Sequence, residues 1–277
     1  MNHPPLWIFK RPGIYIPVFF LCLAPAHGQM LDRECATAAL GNTFLVRTGY
    51  CLPAQNQAGL GRIDRNSVSM QHSRPGLCPD LGVSVLSAQF VTTHGAIGTT
   101  ISNYGIGGLG FTSAWVAYGI ALRRGWYAGL GIHFWHASIR EKWIHHPCFS
   151  FAAGLQAVIS RELTLGVHVL HPAGWYSSNT QAASHPMTVT VGGAWMILPM
   201  IFSFWELELI AGYPVRWKLG FEWKEKRGPA LQIGAHDQPF TVSGGISVNI
   251  RKWNIHAAIS YRFDRGTAPY SAFSYEW

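Results

Sequence analysis

The sequence predicts an all-β chain folded as a transmembrane antiparallel β-barrel of about fourteen strands, and three observations predict it. Apolar residues alternate with small or polar ones in runs of about ten, the pattern of a strand with one face in an apolar medium. The last stretch, "PYSAFSYEW", keeps this pattern to its final residue: Phe273, Tyr275 and Trp277 share one face, and Ala272, Ser274 and Glu276 the other. Charged residues are only 12% of the chain, aromatics are 13%, and mean hydropathy is slightly positive. Yet no stretch after residue 28 is a run of about 20 apolar residues, so a closed sheet is the remaining way to satisfy the backbone in lipid.

The elements follow in order. Lys10 and Arg11 precede the apolar stretch "GIYIPVFFLCLAPA" and the small residues around Ala26-His27-Gly28, the layout of a secretory signal. Residues 1–28 are therefore read as a signal peptide cleaved after Gly28, or alternatively after Ala26. Cys22 leaves with it, since Phe19-Phe20-Leu21 lacks the small residues of a lipoprotein site. Residues 29–80 show little sustained alternation and carry scattered Pro, Gly, Asn and Arg; they are expected to fill the lumen as a hatch or to lie in the periplasm. Cys35, Cys51, Cys78 and Cys148 remain in the mature chain. Their wide spacing is unlike a zinc site and leaves one bridge among the first three, or none, as the expectations.

Residues 81–277 read as the barrel. Strands are expected near 81–91, 94–104, 111–122, 125–137, 149–160, 162–170, 187–198, 202–212, 215–225 and 229–236, followed by three more to the end. In the penultimate strand Trp253, Ile255, Ala257, Ile259, Tyr261 and Phe263 share one face, opposite Asn254, His256, Ala258, Ser260, Arg262 and Asp264. That makes thirteen. Bacterial single-chain barrels have even strand numbers, so one further strand is expected within 29–80; twelve is the alternative. Trp115, Trp126, Trp135, Trp143, Trp175, Trp217, Trp223 and Trp253 fall toward strand ends and are read as a headgroup girdle. The glycines of "GIGGLG" and "GGIS" are read as strand glycines that let side chains cross-pack and the sheet curve.

The net charge of +8 is scattered along the sequence, which leaves no footprint for nucleic acid; lipopolysaccharide phosphates or an acidic partner could use it. One charge group is organised. With Trp205, Leu207, Leu209, Trp217, Leu219 and Phe221 toward lipid, Glu206, Glu208, Arg216, Lys218, Glu222 and Lys224 point inward or lie at the rim, with Glu208 and Lys218 a plausible cross-strand pair. Such a cluster is either a selectivity constriction or ordinary filling by salt bridges. Either reading disfavours a wide apolar tunnel at that wall.

Several stretches together resemble a known family. "GLGRIDRNSVSMQHSRPGL", "GAIGTTISNYGIGGLGFTSAWVAYGIALRRGWYAGLGIHFW", "QPFTVSGGISV" and "NIHAAISYRFDRGTAPYSAFSYEW" are similar to segments of FadL-superfamily outer-membrane barrels, especially the PorV-like proteins of Bacteroidetes. In that family the first segment ends in Asn-x-Ala-Gly-Leu, where this chain has Ser73-Arg74-Pro75-Gly76-Leu77. The similarity covers roughly residues 56–277. It implies a fourteen-stranded barrel with an N-terminal segment in or beneath the lumen. It also implies one of two functions: passage of hydrophobic molecules, or a binding subunit in type IX secretion and surface attachment.

No catalytic residue is expected. There is no G-x-S-x-G elbow, H-E-x-x-H or phosphate loop, and nothing local sets a nucleophile beside a base. His133 and His136, three apart, face opposite sides of a strand and cannot share a metal, so neither metal nor cofactor is expected. The mixed-charge inward face, the non-strand early segment and the resemblance favour a non-catalytic docking subunit of an envelope secretion or assembly complex in the bacterial outer membrane. The alternative is a FadL-like passive channel for small hydrophobic solutes. Expected partners are outer-membrane lipid, lipopolysaccharide and other envelope proteins. Trp143, His145, His146, Trp175 and Tyr176, large or aromatic residues among polar ones in the two longest connections, are the partner-contact candidates.

Overall fold

The structure, a computed structural model, describes residues 35–78, 81–106, 109–139, 142–143, 148–172, 186–225 and 228–277. The signal segment 1–28 lies outside the described residues. The strands are β1 (Ser67–Ser73), β2 (Gly82–Thr92), β3 (Gly95–Ile106), β4 (Leu109–Arg123), β5 (Trp126–Ile139), β6 (Lys142–Trp143), β7 (Cys148–Val158) and β8 (Leu163–Leu170). They continue as β9 (Thr188–Leu198), β10 (Ile201–Ile210), β11 (Arg216–Lys224), β12 (Ala230–His236), β13 (Thr241–Ile250), β14 (Trp253–Arg262) and β15 (Gly266–Glu276). Two-residue β6 only extends the edge of β5. The other fourteen form one closed antiparallel barrel, each paired to its neighbour in the chain, with β1 closing the ring on β15 from Ser67–Glu276 to Ser73–Tyr270.

The alternation works as lipid outside and small or polar side chains inside would require. On β11, Trp217, Leu219, Phe221 and Trp223 are exposed while Arg216, Lys218 and Glu222 are buried. β1 is the strand expected within the early segment; "SVSMQHS" buries Ser67, Ser69, Gln71 and Ser73 and turns Val68 and Met70 outward. The wall therefore begins at residue 67.

The two ends of the barrel differ. At the end carrying the C-terminus, hairpins are tight, as at 93–94, 124–125, 199–200 and 251–252; at the other end, connections reach 140–147 and 171–187. These are called the turn end and the loop end below. Register continues along every neighbouring pair of described strands, with irregularities only between Ala121 and Arg123 and between Ile201 and Phe202.

Residues 35–63 lie inside the ring. Helix α1 (Cys35–Ala39) packs on β12 to β15, and the 3-10 segment Gln57–Arg62 packs on β3, β4, β5 and β7, so this plug touches opposite walls. Its leucines Leu40, Leu45, Leu52 and Leu60 are fully buried.

Candidate functional site: the plugged lumen

The lumen is a polar cavity filled by its own chain, and three groups of inward residues define what it can do. The first is the set of wall glycines. A Cβ on Gly154 would stand 1.9 Å from Asn56 Oδ1, one on Gly129 2.2 Å from the Gln57 carbonyl carbon, and one on Gly234 2.1 Å from the Gly41 nitrogen. Gly41 itself, at φ +65°, would meet Ala235 at 2.6 Å. The plug backbone thus lies directly on the sheet. Close approach of a second backbone is the reason for glycine at these positions.

The second group is polar and holds the plug by its main chain. Glu206 Oε1 accepts from the amides of Phe44 at 2.5 Å and Leu45 at 2.6 Å. Asn56 and Gln156 both donate to the Leu45 carbonyl, at 2.6 and 2.8 Å, and Arg62 donates to Val46 at 3.1 Å and to Gln156 at 3.0 Å. Gln71 accepts from the Cys35 amide and donates to Cys51 Sγ, which ties α1 to β1. On β13 Ser243 links Ala39 and Gly41. A plug without sheet partners must find such hydrogen bonds, because an unmade one in a buried setting costs about 1–3 kcal/mol.

The charged residues identified from sequence belong largely to this group. Lys218, 1% exposed, sits 2.6 Å from Glu208 and 3.8 Å from Glu206, with its ammonium 5.0 Å from the centre of the Phe44 ring. Arg216 approaches Glu208 at 3.7 Å. Glu222 accepts from plug residue Arg47 at 3.1 Å and from Gln232 at 2.6 Å. Lys224 is the exception: it is exposed at the turn-end rim, past the last inward position of β11. Four of the six, Glu206, Glu208, Arg216 and Lys218, therefore meet in one buried group, and Glu222 is buried in a second with Arg47 and Gln232; both groups include contacts to the plug.

The third group was missed. On the wall from β3 to β8, toward the loop end, Tyr104 stacks on Phe111 at 4.7 Å and Phe111 on Trp135 at 5.9 Å between centroids. Deeper, Trp115 stacks on His133 at 4.1 Å, and the His133 ring lies 5.9 Å from that of His171. Trp115 and Trp135 thus face the lumen and not the headgroup girdle. Phe111 and Trp135 point inward and are only half-buried; Phe111 packs beside the buried cluster of Tyr104, Val83, Val85 and the plug's Cys51. Ser113 Oγ lies 2.9 Å from His133 Nε2, and Ser150 hydrogen-bonds His171. Nothing local sets these hydroxyls beside imidazoles, but neighbouring strands do, and the pairs offer donors and acceptors within an aromatic wall.

Of the partner-contact candidates, His145, His146, Trp175 and Tyr176 lie outside the described residues, and of Trp143 only the backbone, in β6, is described. Phe273 and Trp277 are exposed outward and Tyr275 partly so, on the strand that closes the ring. Among the described residues no group of three or more His, Cys, Asp and Glu could hold a metal ion.

No family model and no curated protein matches the chain. Solved structures do. The toluene transporter TbuX of Ralstonia pickettii superposes with a TM-score of 0.66 at 10% identity, covering 89% of this chain and 98% of that one. The toluene transporter TodX of Pseudomonas putida gives 0.66 at 10%, covering 88% and 97%. A FadL homologue of Pseudomonas aeruginosa gives 0.62 at 9%, covering 88% and 96%. This chain has the fold of FadL-type outer-membrane barrels. At these identities the likeness is one of fold, and nothing in it singles out the PorV-like branch.

Proposed function

We propose that the protein is an outer-membrane channel of FadL type that takes small, largely apolar and planar solutes from the loop end toward the periplasm past its plug. The observation that carries this is the lumen-facing aromatic row Tyr104, Phe111 and Trp135, a stacking surface at the loop side of the plug. Aromatic pairs of this kind contribute about 0.5–1.5 kcal/mol each beyond area burial. The neighbouring barrels are described as toluene transporters or a monoaromatic hydrocarbon channel, which agrees with such a solute. Tight hairpins at one end and long connections at the other match the periplasmic and extracellular ends of outer-membrane barrels and set the orientation. Every neighbouring pair of strands is joined by an antiparallel ladder, which supports a route through the lumen, and such a route requires the plug to shift.

The test is a titration of the purified protein with toluene, read by tryptophan fluorescence. Saturable binding, weakened about two- to tenfold by Trp135→Ala, is expected from one lost stacking contact. Absence of saturable binding to the unsubstituted protein would remove the channel reading.

A second reading, a docking subunit of an envelope secretion or assembly complex, draws on one observation: the plug contacts walls on opposite sides of the ring. A stable complex with other envelope proteins on gentle detergent extraction, together with no solute binding, would favour it.

A further inference from the structure

The outer face of the barrel is not uniformly apolar. On β14 the outward residues from Trp253 to Phe263 are Trp, Ile, Ala, Ile, Tyr and Phe, an apolar face about 33 Å along the strand and about 25 Å in height at a tilt near 40°. On β15, immediately beside it, the apolar outward residues stop at Phe273; above them come Ser271, Pro269 and Thr267. On β1 they are Val68 and Met70, and on β2 only Leu86 to Phe90, which leaves about 10 Å of apolar height where about 25 Å is usual.

The residues that interrupt it form one register row. Ser271 pairs with His72, His72 with Ser84, Ser84 with Asn103, Asn103 with Thr112, and Thr112 with His136, across six adjacent strands. Two couples in the row are hydrogen-bonded, His72 Nδ1 to Ser84 Oγ at 3.1 Å and Asn103 Nδ2 to Thr112 Oγ1 at 3.0 Å. Because strands tilt, the row climbs around the wall. At β4 and β5 it reaches the level where an apolar belt normally ends, whereas at β15, β1 and β2 it cuts through mid-wall. Above it at the seam, on the described strands, stand Gly82, Gly105, Thr267 and Pro269, with Arg74 and Leu77 exposed at the rim.

We propose that this seam is a lipid-headgroup shelf: the loop-end leaflet thins against β15, β1, β2 and β3, and its headgroups and their water descend to the polar row. A short apolar face is met by local thinning of the bilayer, and exposed polar side chains at acyl depth are costly, so both features are relieved by the same adjustment. Hydroxyls, an amide and imidazoles, four of which already pair within the row, suit hydrated headgroups of either charge. The inference rests on the outer-membrane reading above, and its test separates the two.

The test places a single labelled cysteine at Ser84 and, in a second protein, at Val242. Each is eight residues from the turn end of its strand, at Thr92 and Ile250, and each faces outward. The proteins are folded into phosphatidylcholine vesicles, and the label is quenched by nitroxide lipids carrying the spin either at the headgroup or at the chain end. The expected result is several-fold stronger headgroup quenching at Ser84 and stronger chain-end quenching at Val242. Equal chain-end quenching at both positions would overturn the shelf while leaving the barrel inserted. Shielding of Ser84 from both quenchers, with Val242 still quenched, would overturn it in favour of a protein covering the seam. If Val242 is not reached from the chain ends either, the membrane-spanning reading fails and the shelf with it. Asn103→Cys is the second position should Ser84→Cys not fold.

Discussion

At the scale of residues, Lys218 decides whether the charged network holds. It is buried between Glu206 and Glu208, and Glu206 in turn receives two plug amides. Removing one partner of a buried ion pair costs about 3–5 kcal/mol, because the charge left behind stays desolvated. Lys218→Met should therefore lower the thermal midpoint of the heat-modifiable folded band on gels, and adding Glu208→Gln should recover part of the loss. An unchanged midpoint in Lys218→Met would mean that water already reaches the pair. Glu208 and Lys218 were legible in the sequence because adjacent strands in phase bring them together. The role of Glu206 was not, since its donors, Phe44 and Leu45, are about 160 residues away and outside any strand, and the two-residue period carries no trace of them. Trp115 was legible in principle. It shares its phase with Ser113 and Ala117, the buried positions of β4, while Val116 and Tyr118 face out, so phase and not position along the strand decides its side.

At the scale of elements, the plug and the wall are fitted by glycine. Gly154→Val would drive a side chain into Asn56, whose amide also holds the Leu45 carbonyl, so the plug must move off β7. In planar bilayers this variant is expected to show sustained ion-conducting openings that the unsubstituted protein lacks. Gly244→Ala, where the nearest atom would be 3.5 Å away, is expected to stay closed. Conductance equal in both variants would contradict the account of these glycines. Strand existence was legible almost throughout, because lipid outside and crowding inside impose the same alternation on every strand. β1 was harder to read, since four of its seven residues are Ser or Gln facing the plug and only Val68 and Met70 among the outward ones are apolar.

At the scale of the whole molecule, the barrel and its contents are separable in sequence but only at one boundary. Deleting 35–62 should leave fourteen strands and an empty lumen, and the expected outcome is a stable, heat-modifiable barrel with a large, weakly selective conductance. A deletion running to residue 80 removes β1 as well and exposes the edges of β2 and β15, so it should fail to fold. A closed 35–62 deletion would indicate that side chains of the wall alone fill the lumen.

The order of events in biogenesis follows from the pairing of the first wall strand with the last. Ser67 waits for Glu276, about 200 residues later, and no earlier strand can take its place, so ring closure is late and slow among the steps of assembly. The plug precedes β1 in the chain and touches strands on every side, which a finished cylinder would bar it from entering sideways. It must therefore be present as the sheet curls, serving as the mandrel on which the wall is wound, and refolding from denaturant should slow when that mandrel is cut away.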